Sequence, residues 1–263
     1  MQSRNPVFNN SKAFKSGGYA AFNEAPPATA AQLQEMYSAP SATGADTGRM
    51  TLDDVVVRTG LMFAVLLPLA AFNYWQQNVT LTIGGAIAGL VLGLFVSFRQ
   101  STNATLILAY AALEGLFVGG ISRAFELRWH GIVPQAVLGT LAVFAVTLLV
   151  YKSGRIRVTP KFQRTALIAM GAYLVFALIN FGVTLSGHGG DFGLVQGPFG
   201  FAIGLFAVGL ATVMLILDFD FAEQGVRNGL PERYAWLAAF ALVVTLVWLY
   251  LEILRLLGLA RGK

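Results

Sequence analysis

The fold is decided by two acidic stretches near the end of the chain, Leu217-Asp218-Phe219-Asp220-Phe221-Ala222-Glu223 and Leu249-Tyr250-Leu251-Glu252-Ile253-Leu254-Arg255. Each lies at or inside the end of a long apolar run, and a polar turn separates the two runs. A carboxylate in hydrocarbon costs several kcal/mol unless it is paired, protonated or in contact with water. We therefore expect the other apolar runs of the chain to form a wall around this pair.

The composition is that of a protein whose surface mostly avoids water. The 263 residues are 56% hydrophobic and only 12% charged, whereas soluble domains carry about 25% charged residues. The chain has no cysteine and two widely separated histidines, His130 and His188. This excludes disulfides and argues against a zinc site of the usual kind. The sequence predicts a polytopic membrane protein.

Seven apolar segments are each close to the ~20 residues that span ~30 Å of hydrocarbon. Backbone groups in lipid must bond within their own segment, so the segments are predicted to be helices. They do not alternate as barrel strands do. The fold class is therefore all-α, with seven transmembrane helices in residues 51–263. The segments are 56–75, 80–98, 105–125, 132–151, 165–185, 199–221 and 234–258. The last carries charged residues late in its run, which fits either a full span or a segment that dips in and returns.

Residues 1–50 differ from the rest of the chain. They are rich in Asn, Gly, Pro, Ala and Ser, a composition that buries too little apolar surface to offset the entropy of ordering. We predict a disordered cytoplasmic tail. Thr51 is the predicted N-cap of the first helix, with Asp53 and Asp54 in its first turn, where the helix dipole favours acidic groups.

The basic residues predict the orientation in the membrane. Thirteen of the 18 Lys and Arg residues fall on the side of the N-terminus if there are seven spans: Arg4, Lys12, Lys15, Arg49, Arg58, Arg99, Lys152, Arg155, Arg157, Lys161, Arg164, Arg227 and Arg233. The positive-inside rule then places the N-terminus in the cytoplasm. Because the positive charge follows the topology, the net charge of +5 does not indicate nucleic-acid binding.

Small residues recur at a spacing of four: Gly85, Gly89 and Gly93, Gly115 and Gly119, and Gly200 and Gly204. This spacing lets helix backbones approach closely. Ordinary bundle packing is the favoured interpretation, and a mobile interface around a pore is the alternative.

Carboxylates inside the predicted helices are candidate functional groups. Glu114 lies near the middle of the third helix with no basic residue within a turn, and Asp218 lies deeper in the sixth than Asp220. An ionisable residue within a membrane helix indicates a functional site by default. The alternative for Glu114 is a protonated side chain that only bonds a neighbouring helix. Asp220 and Glu223 also fit solvated acids at the cytoplasmic mouth.

Glu252 lies at a different depth from Asp218 if both helices are straight. With the turn near residue 228 and a rise of 1.5 Å per residue, the two differ by roughly 20 Å in depth. Thr245 lies nearer to the level of Asp218. A direct contact between Asp218 and Glu252 requires a longer loop, a break or a tilt. An i,i+3 ion pair with Arg255 is the competing interpretation of Glu252.

The motifs of common enzymes are missing from the sequence. It contains no G-x-G-x-x-G before a helix, no G-x-x-x-x-G-K-[ST], no H-E-x-x-H and no G-x-S-x-G. The sequence therefore predicts a protein that is not an enzyme.

The chain resembles the Bax inhibitor-1 family (transmembrane BAX inhibitor motif proteins), in particular its bacterial branch with a long N-terminal tail. The resemblance covers about residues 55–260. It rests on Ala112-Leu113-Glu114-Gly115 with Gly119, on Leu217-Asp218-Phe219-Asp220, and on Trp248-Leu249-Tyr250-Leu251-Glu252-Ile253-Leu254-Arg255-Leu256-Leu257-Gly258. It implies a bundle whose last helix lies inside a ring of six, in a bacterial plasma (inner) membrane.

The resemblance also implies a pH-sensitive calcium leak channel with two acids, on the last two helices, that sense protons and calcium. The first acid maps onto Asp218. The motif Leu-Tyr-Leu-acid places the second at Glu252, whereas counting back from the terminal Leu-Arg-x-x-Gly places it near Thr245, which cannot titrate. In the second case the two-carboxylate sensor is either absent or rebuilt with Glu114.

Two functions follow as hypotheses. The first is a calcium-permeable leak channel without a cofactor, because Ca²⁺ takes oxygen ligands and a proton on a buried carboxylate can shift an open–closed balance of a few kcal/mol. Asp218, Glu252 and Glu114 are its candidate sensors, Asp220 and Arg255 are secondary candidates, and Asp218 and Glu252 are the candidate Ca²⁺ ligands. The second is a membrane regulator that binds a membrane-anchored protease or a stress-response partner, with the tail as its docking segment. A proton-coupled transporter fits the same acids but lacks an evident internal repeat.

Overall fold

A computed structural model describes Thr29 and residues 48–154, 158–187 and 193–262. Within these ranges the chain forms seven α-helices and no β-strand. The helices are α1 Leu52–Gln76, α2 Val79–Arg99, α3 Ala104–Arg128, α4 Ile132–Lys152, α5 Pro160–Leu185, α6 Gly197–Arg227 and α7 Tyr234–Arg261. All seven are long and apolar enough to cross a membrane. The predicted all-α fold with seven spans is confirmed, and the seventh is one uninterrupted helix of 28 residues.

Long-range contacts identify the two ends of the bundle. Arg58, near the start of α1, donates hydrogen bonds to the backbone and side chain of Glu232, just before α7. At the other end, Arg261 of α7 donates to the carbonyl oxygen of His130, just before α4, at 2.8 Å. We call these the Leu52 end and the Arg261 end.

The first helix begins where the sequence predicts. The Thr51 hydroxyl accepts a hydrogen bond from the backbone N–H of Asp54 at 3.1 Å, and the Asp54 carboxylate accepts one from the backbone N–H of Thr51 at 2.8 Å. This reciprocal pair is a capping box, which satisfies two N–H groups that have no partner within the helix. Asp53 and Asp54 both lie in the first turn.

The last helix is the most buried of the seven. In α7, 67% of the most apolar stretch is buried, against 11% to 44% in the other six helices. α1, α3, α4 and α6 pack along it, while α2 packs on α3 and α5 packs on α6. α7 thus packs against four helices along its length, and the predicted ring of six around it stays a prediction.

The glycine spacing serves close packing between helices. A Cβ atom at Gly115 or Gly119 of α3 would overlap the carbonyl oxygen of Leu66 or Ala70 of α1. A Cβ at Gly85 of α2 would lie 2.7 Å from the carbonyl oxygen of Leu113. At all three glycines, two helix backbones meet without a side chain between them. This agrees with ordinary bundle packing, the favoured interpretation of the glycine spacing.

A short segment before α1 is attached to the turn between α6 and α7. The Met50 N–H donates to the carbonyl oxygen of Leu230 at 2.8 Å, and the Glu232 N–H donates to that of Gly48 at 2.9 Å. Met50 is 2% exposed and belongs to an apolar cluster with residues of α6 and α7. Residues 48–50, assigned to the tail by the sequence analysis, thus pack on the bundle. The rest of the predicted tail, Thr29 apart, lies outside the described residues.

Candidate functional site

Asp218 lies on α6 where this helix packs against α7. Its carboxylate accepts a hydrogen bond from the Thr245 hydroxyl of α7, with the two oxygens 2.5 Å apart. Among the described residues this hydroxyl is its only hydrogen-bond donor. The side chains that flank the pair on the two helices are apolar and buried, and they include Leu215, Leu242 and Leu246. Asp218 and Thr245 therefore form an isolated polar contact in an apolar interface.

This contact agrees with the depth calculated from the sequence. The helical rise placed Thr245 nearer than Glu252 to the level of Asp218, and the structure joins Asp218 to Thr245. Counting back from the terminal Leu-Arg-x-x-Gly reached the same position on α7. The residue that faces Asp218 is thus a hydroxyl that can donate a hydrogen bond but cannot hold the second titrating proton.

Glu252 belongs to a different cluster, at the contact between α7 and α5. Its Oε1 atom accepts hydrogen bonds from the Tyr173 hydroxyl and from Trp248 Nε1, the latter at 3.0 Å. Its Oε2 atom lies 2.6 Å from Arg255 Nη2, an ion pair between residues three apart on α7. Arg255 also donates to the Tyr173 hydroxyl at 3.0 Å. Glu252 thus has the ion pair with Arg255 that the sequence offered as a competing interpretation.

The structure does not bring Asp218 and Glu252 into one site. Thr245, the partner of Asp218, precedes Glu252 by seven residues, which is about 10 Å along a helix, and the two carboxylates share no partner. Within residues 48–154, 158–187 and 193–262, no group of three or more His, Cys, Asp or Glu residues could hold a metal ion. The expected Ca²⁺ ligand pair of Asp218 and Glu252 is therefore not assembled in this conformation.

Glu114 lies between α2 and α3. Its carboxylate accepts a hydrogen bond from the Tyr110 hydroxyl, one turn earlier on α3. A Cβ atom at Gly89 of α2 would lie 3.3 Å from its Oε2 atom. The Tyr110 ring packs edge-on against Phe240 of α7, with ring centroids 4.9 Å apart. Glu114 thus faces α2, and Tyr110 links it to α7.

Comparison of the sequence with protein-family models identifies the family. The model of the Bax inhibitor 1 like family matches residues 5–262, which is nearly the whole chain. The chain belongs to this family. The match begins at residue 5, inside the predicted tail. The resemblance was expected to cover only about residues 55–260. A comparison with curated proteins gives no match. Family membership and seven apolar helices make the chain an integral membrane protein.

In this Bax inhibitor 1 like protein, the remaining acids of α6 have local partners at the Leu52 end. Asp220 accepts a hydrogen bond from Gln224 Nε2 at 2.5 Å. Glu223 accepts one from the Tyr151 hydroxyl of α4 and pairs with Arg227 at 2.5 Å. These contacts are half-exposed, as the sequence suggested for acids at the mouth of the bundle.

Buried polar residues that were not predicted from the sequence connect the helices of this Bax inhibitor 1 like bundle. Asn73 of α1 is fully buried and donates through Nδ2 to Thr82 Oγ1 of α2 at 2.8 Å and to the carbonyl oxygen of Leu116 of α3 at 2.7 Å. Ser122 of α3 and Tyr250 of α7 share a buried hydrogen bond of 2.7 Å. A lone Asn within an apolar run is the sequence signal that could have identified Asn73. A Tyr within an apolar run gives no comparable signal for the contact of Tyr250 with Ser122.

Proposed function

We propose that this protein is a calcium-permeable leak channel of a bacterial plasma membrane, that it is not an enzyme, and that its flux depends on the protonation of Asp218. The observation that supports this most is the single hydrogen bond between Asp218 and Thr245 across the α6–α7 interface. A carboxylate with one neutral donor and apolar neighbours changes its interactions most when it gains or loses a proton. Membership of the Bax inhibitor 1 like family supports the same function.

The proposed mechanism uses the charge of Asp218. When ionised, Asp218 accepts a hydrogen bond from the Thr245 hydroxyl and presents oxygen atoms with a negative charge, which attract a hard divalent cation. Protonation removes the charge and converts the carboxyl group into a donor, so the contact between α6 and α7 must rearrange. A free-energy gap of a few kcal/mol between two arrangements is enough for such a switch. Calcium flux should therefore fall as the pH falls.

The other intramembrane acids have different roles in this proposal. Glu114 is the candidate for a second proton site, because a tyrosine hydroxyl is its hydrogen-bond partner. Glu252, with its ion pair to Arg255, is proposed as a fixed charge that holds α5 against α7. The same flux assay tests both residues through Glu114→Gln and Glu252→Gln.

The experiment is calcium flux into dye-loaded proteoliposomes between pH 5 and pH 8. We expect Asp218→Asn to reduce flux at pH 8 by about tenfold, because the charge no longer concentrates cations at the site, and to make flux independent of pH. Asp220→Asn is the matched control, since Asp220 lies two residues away with a local partner, and it should keep the pH dependence. A pH dependence that survives in Asp218→Asn would show that Asp218 is not the sensor.

A regulator that binds a membrane-anchored protease or a stress-response partner is the second candidate. The contact of Gly48 and Met50 with the turn before α7 favours it, because it connects the root of the tail to the helix that carries Thr245. Deletion of residues 1–47 leaves that contact in place. A channel should keep its flux after this deletion, whereas a tail-docked regulator should lose co-purification of its partner. Flux no greater than in empty liposomes at any pH would favour the regulator.

A further inference from the structure

A lateral groove of about 750 Å³ separates α1 from α4. Residues of α1 between Thr59 and Trp75 form one wall, and residues of α4 between Val133 and Phe144 form the other. α3 and α7 provide the floor. Side chains of both walls, among them Leu67 and Leu141, are more than half exposed, so the groove reaches the outer surface of the bundle. In a membrane-spanning bundle this surface faces lipid.

The dimensions of the groove fit an extended apolar chain. The wall from Thr59 to Trp75 is about 24 Å long at 1.5 Å per residue, most of the ~30 Å of hydrocarbon. Its volume lies within the range of roughly 300–1,000 Å³ that is usual for ligand pockets. Its lining is almost wholly apolar. The groove therefore suits a hydrocarbon chain that enters sideways from the bilayer.

A cation lies at the Arg261 end of the groove. The Arg123 guanidinium is 5.3 Å from the centre of the Tyr74 ring, and Tyr74 lines the groove. The Nε atom of Arg123 is buried without a hydrogen-bond partner in the described part of the chain. The nearby acid Glu126 is occupied by the backbone N–H groups of Gly131 and Val133, at 2.6 and 3.1 Å. The Arg123 guanidinium thus lies beside Tyr74 where the groove approaches the membrane surface, with one N–H group that has no partner in the described residues.

We propose that the groove holds one acyl chain of an anionic phospholipid and that Arg123 binds its phosphate group. A guanidinium matches phosphate oxygens in a two-pronged, charge-assisted geometry. The apolar walls exclude water from the chain, and the positive end selects the head group. This site is separate from Asp218 and does not depend on the proposed channel activity.

Gly60 offers a way to fill the groove without disturbing the fold. It lines the groove, and a Cβ atom placed on it would meet nothing within 4 Å. Gly84 of α2 has the same free space but lies outside the groove, so Gly84→Phe is the matched control for Gly60→Phe. Both glycines are inside helices, and at both positions the Cβ atom of the new side chain has free space.

The experiment is native mass spectrometry of the chain extracted from vesicles of equal parts palmitoyl-oleoyl phosphatidylglycerol and palmitoyl-oleoyl phosphatidylcholine. The wild type and Gly84→Phe should retain one phospholipid per chain, mostly phosphatidylglycerol. Gly60→Phe should lose it. Equal retention in the two glycine variants would overturn the proposal, as would a wild-type dimer that Gly60→Phe dissociates, because the occupant would then be a second copy of the chain.

A second pair of variants tests the head-group contact and remains decisive if Gly60→Phe fails to fold. Arg123→Gln should remove the preference for phosphatidylglycerol. Arg128→Gln removes a positive charge at the same end of the bundle and should keep that preference. An unchanged preference in Arg123→Gln would overturn the assignment of the phosphate site.

Discussion

Asp218 of α6 and Glu252 of α7 are both carboxylates at contacts between α7 and a neighbouring helix, yet their surroundings differ. Glu252 is 6% exposed and meets a cation at 2.6 Å and two neutral donors. Asp218 meets one hydroxyl. A buried charge is stable only when it is paired and hydrogen-bonded. The contrast shows that one bundle can contain an acid with an ion pair and, about two helical turns away, an acid with one neutral donor among the described residues.

Loss of the cation beside Glu252 should have the largest effect. Arg255→Met leaves a buried carboxylate with neutral donors only, and breaking such a pair costs about 3–5 kcal/mol. We expect this loss in the free energy of unfolding in detergent micelles at neutral pH.

The matched control for Arg255→Met is Arg227→Met. Arg227 pairs with Glu223 four residues earlier, but its side chain is 73% exposed. Exposed ion pairs contribute about 0–1 kcal/mol, so this variant should remain close to the wild type. Equal losses of unfolding free energy in the two variants would mean that Glu252 is not a fixed charge. Glu252 and Asp218 would then no longer differ in this respect.

Loss of the hydroxyl that faces Asp218 should have an intermediate effect. Thr245→Val keeps the shape of the side chain but removes the donor, and an unsatisfied buried acceptor costs about 1–3 kcal/mol. Because the hydrogen bond favours the ionised form, the midpoint of the pH curve of calcium flux should move to higher pH. Thr212→Val is the control, since the Thr212 hydroxyl bonds the Val208 carbonyl oxygen of its own helix. An equal shift of this midpoint in both variants would show that the pH dependence of flux does not come from the Asp218–Thr245 contact.

Removal of one neutral donor from Glu252 should have the smallest effect. Tyr173→Phe leaves Trp248 and Arg255 in place, so the loss should be about 0.5–1.5 kcal/mol. α5 packs mainly on α6, and its hydrogen exchange should increase as its bond to α7 is lost. A loss as large as that of Arg255→Met would assign the stabilisation of Glu252 to the hydroxyl rather than to the cation.

The sequence predicted the fold well because hydrocarbon imposes length and composition on every span. The predicted segments and the observed helices differ mainly where polar ends continue the helix, as at residues 160–164 and 222–227. The rise of a straight helix also placed Thr245 nearer than Glu252 to the level of Asp218. The helix bounds and the relative depth of Thr245 both follow from local properties of a segment, namely its length, its composition and its helical rise.

The partners of Glu252 and Glu114 were harder to predict, because they depend on helix rotation. Tyr173 lies in an apolar run of α5 with no charge nearby in sequence, and its contact with Glu252 spans 79 residues. Hydropathy does not show which face of α5 meets α7. For the same reason the sequence left Glu114 as a candidate partner of Asp218, whereas its side chain lies against Gly89 of α2.

The attachment of residues 48–50 has a mechanical consequence. The chain is hydrogen-bonded to the turn between α6 and α7 before α1 begins at Leu52. Tension applied to the chain at Gly48 is therefore transmitted to this turn before it reaches α1. The turn joins the helix of Asp218 to the helix of Thr245, so a pull from upstream would act on the same two helices that the proposed proton site connects.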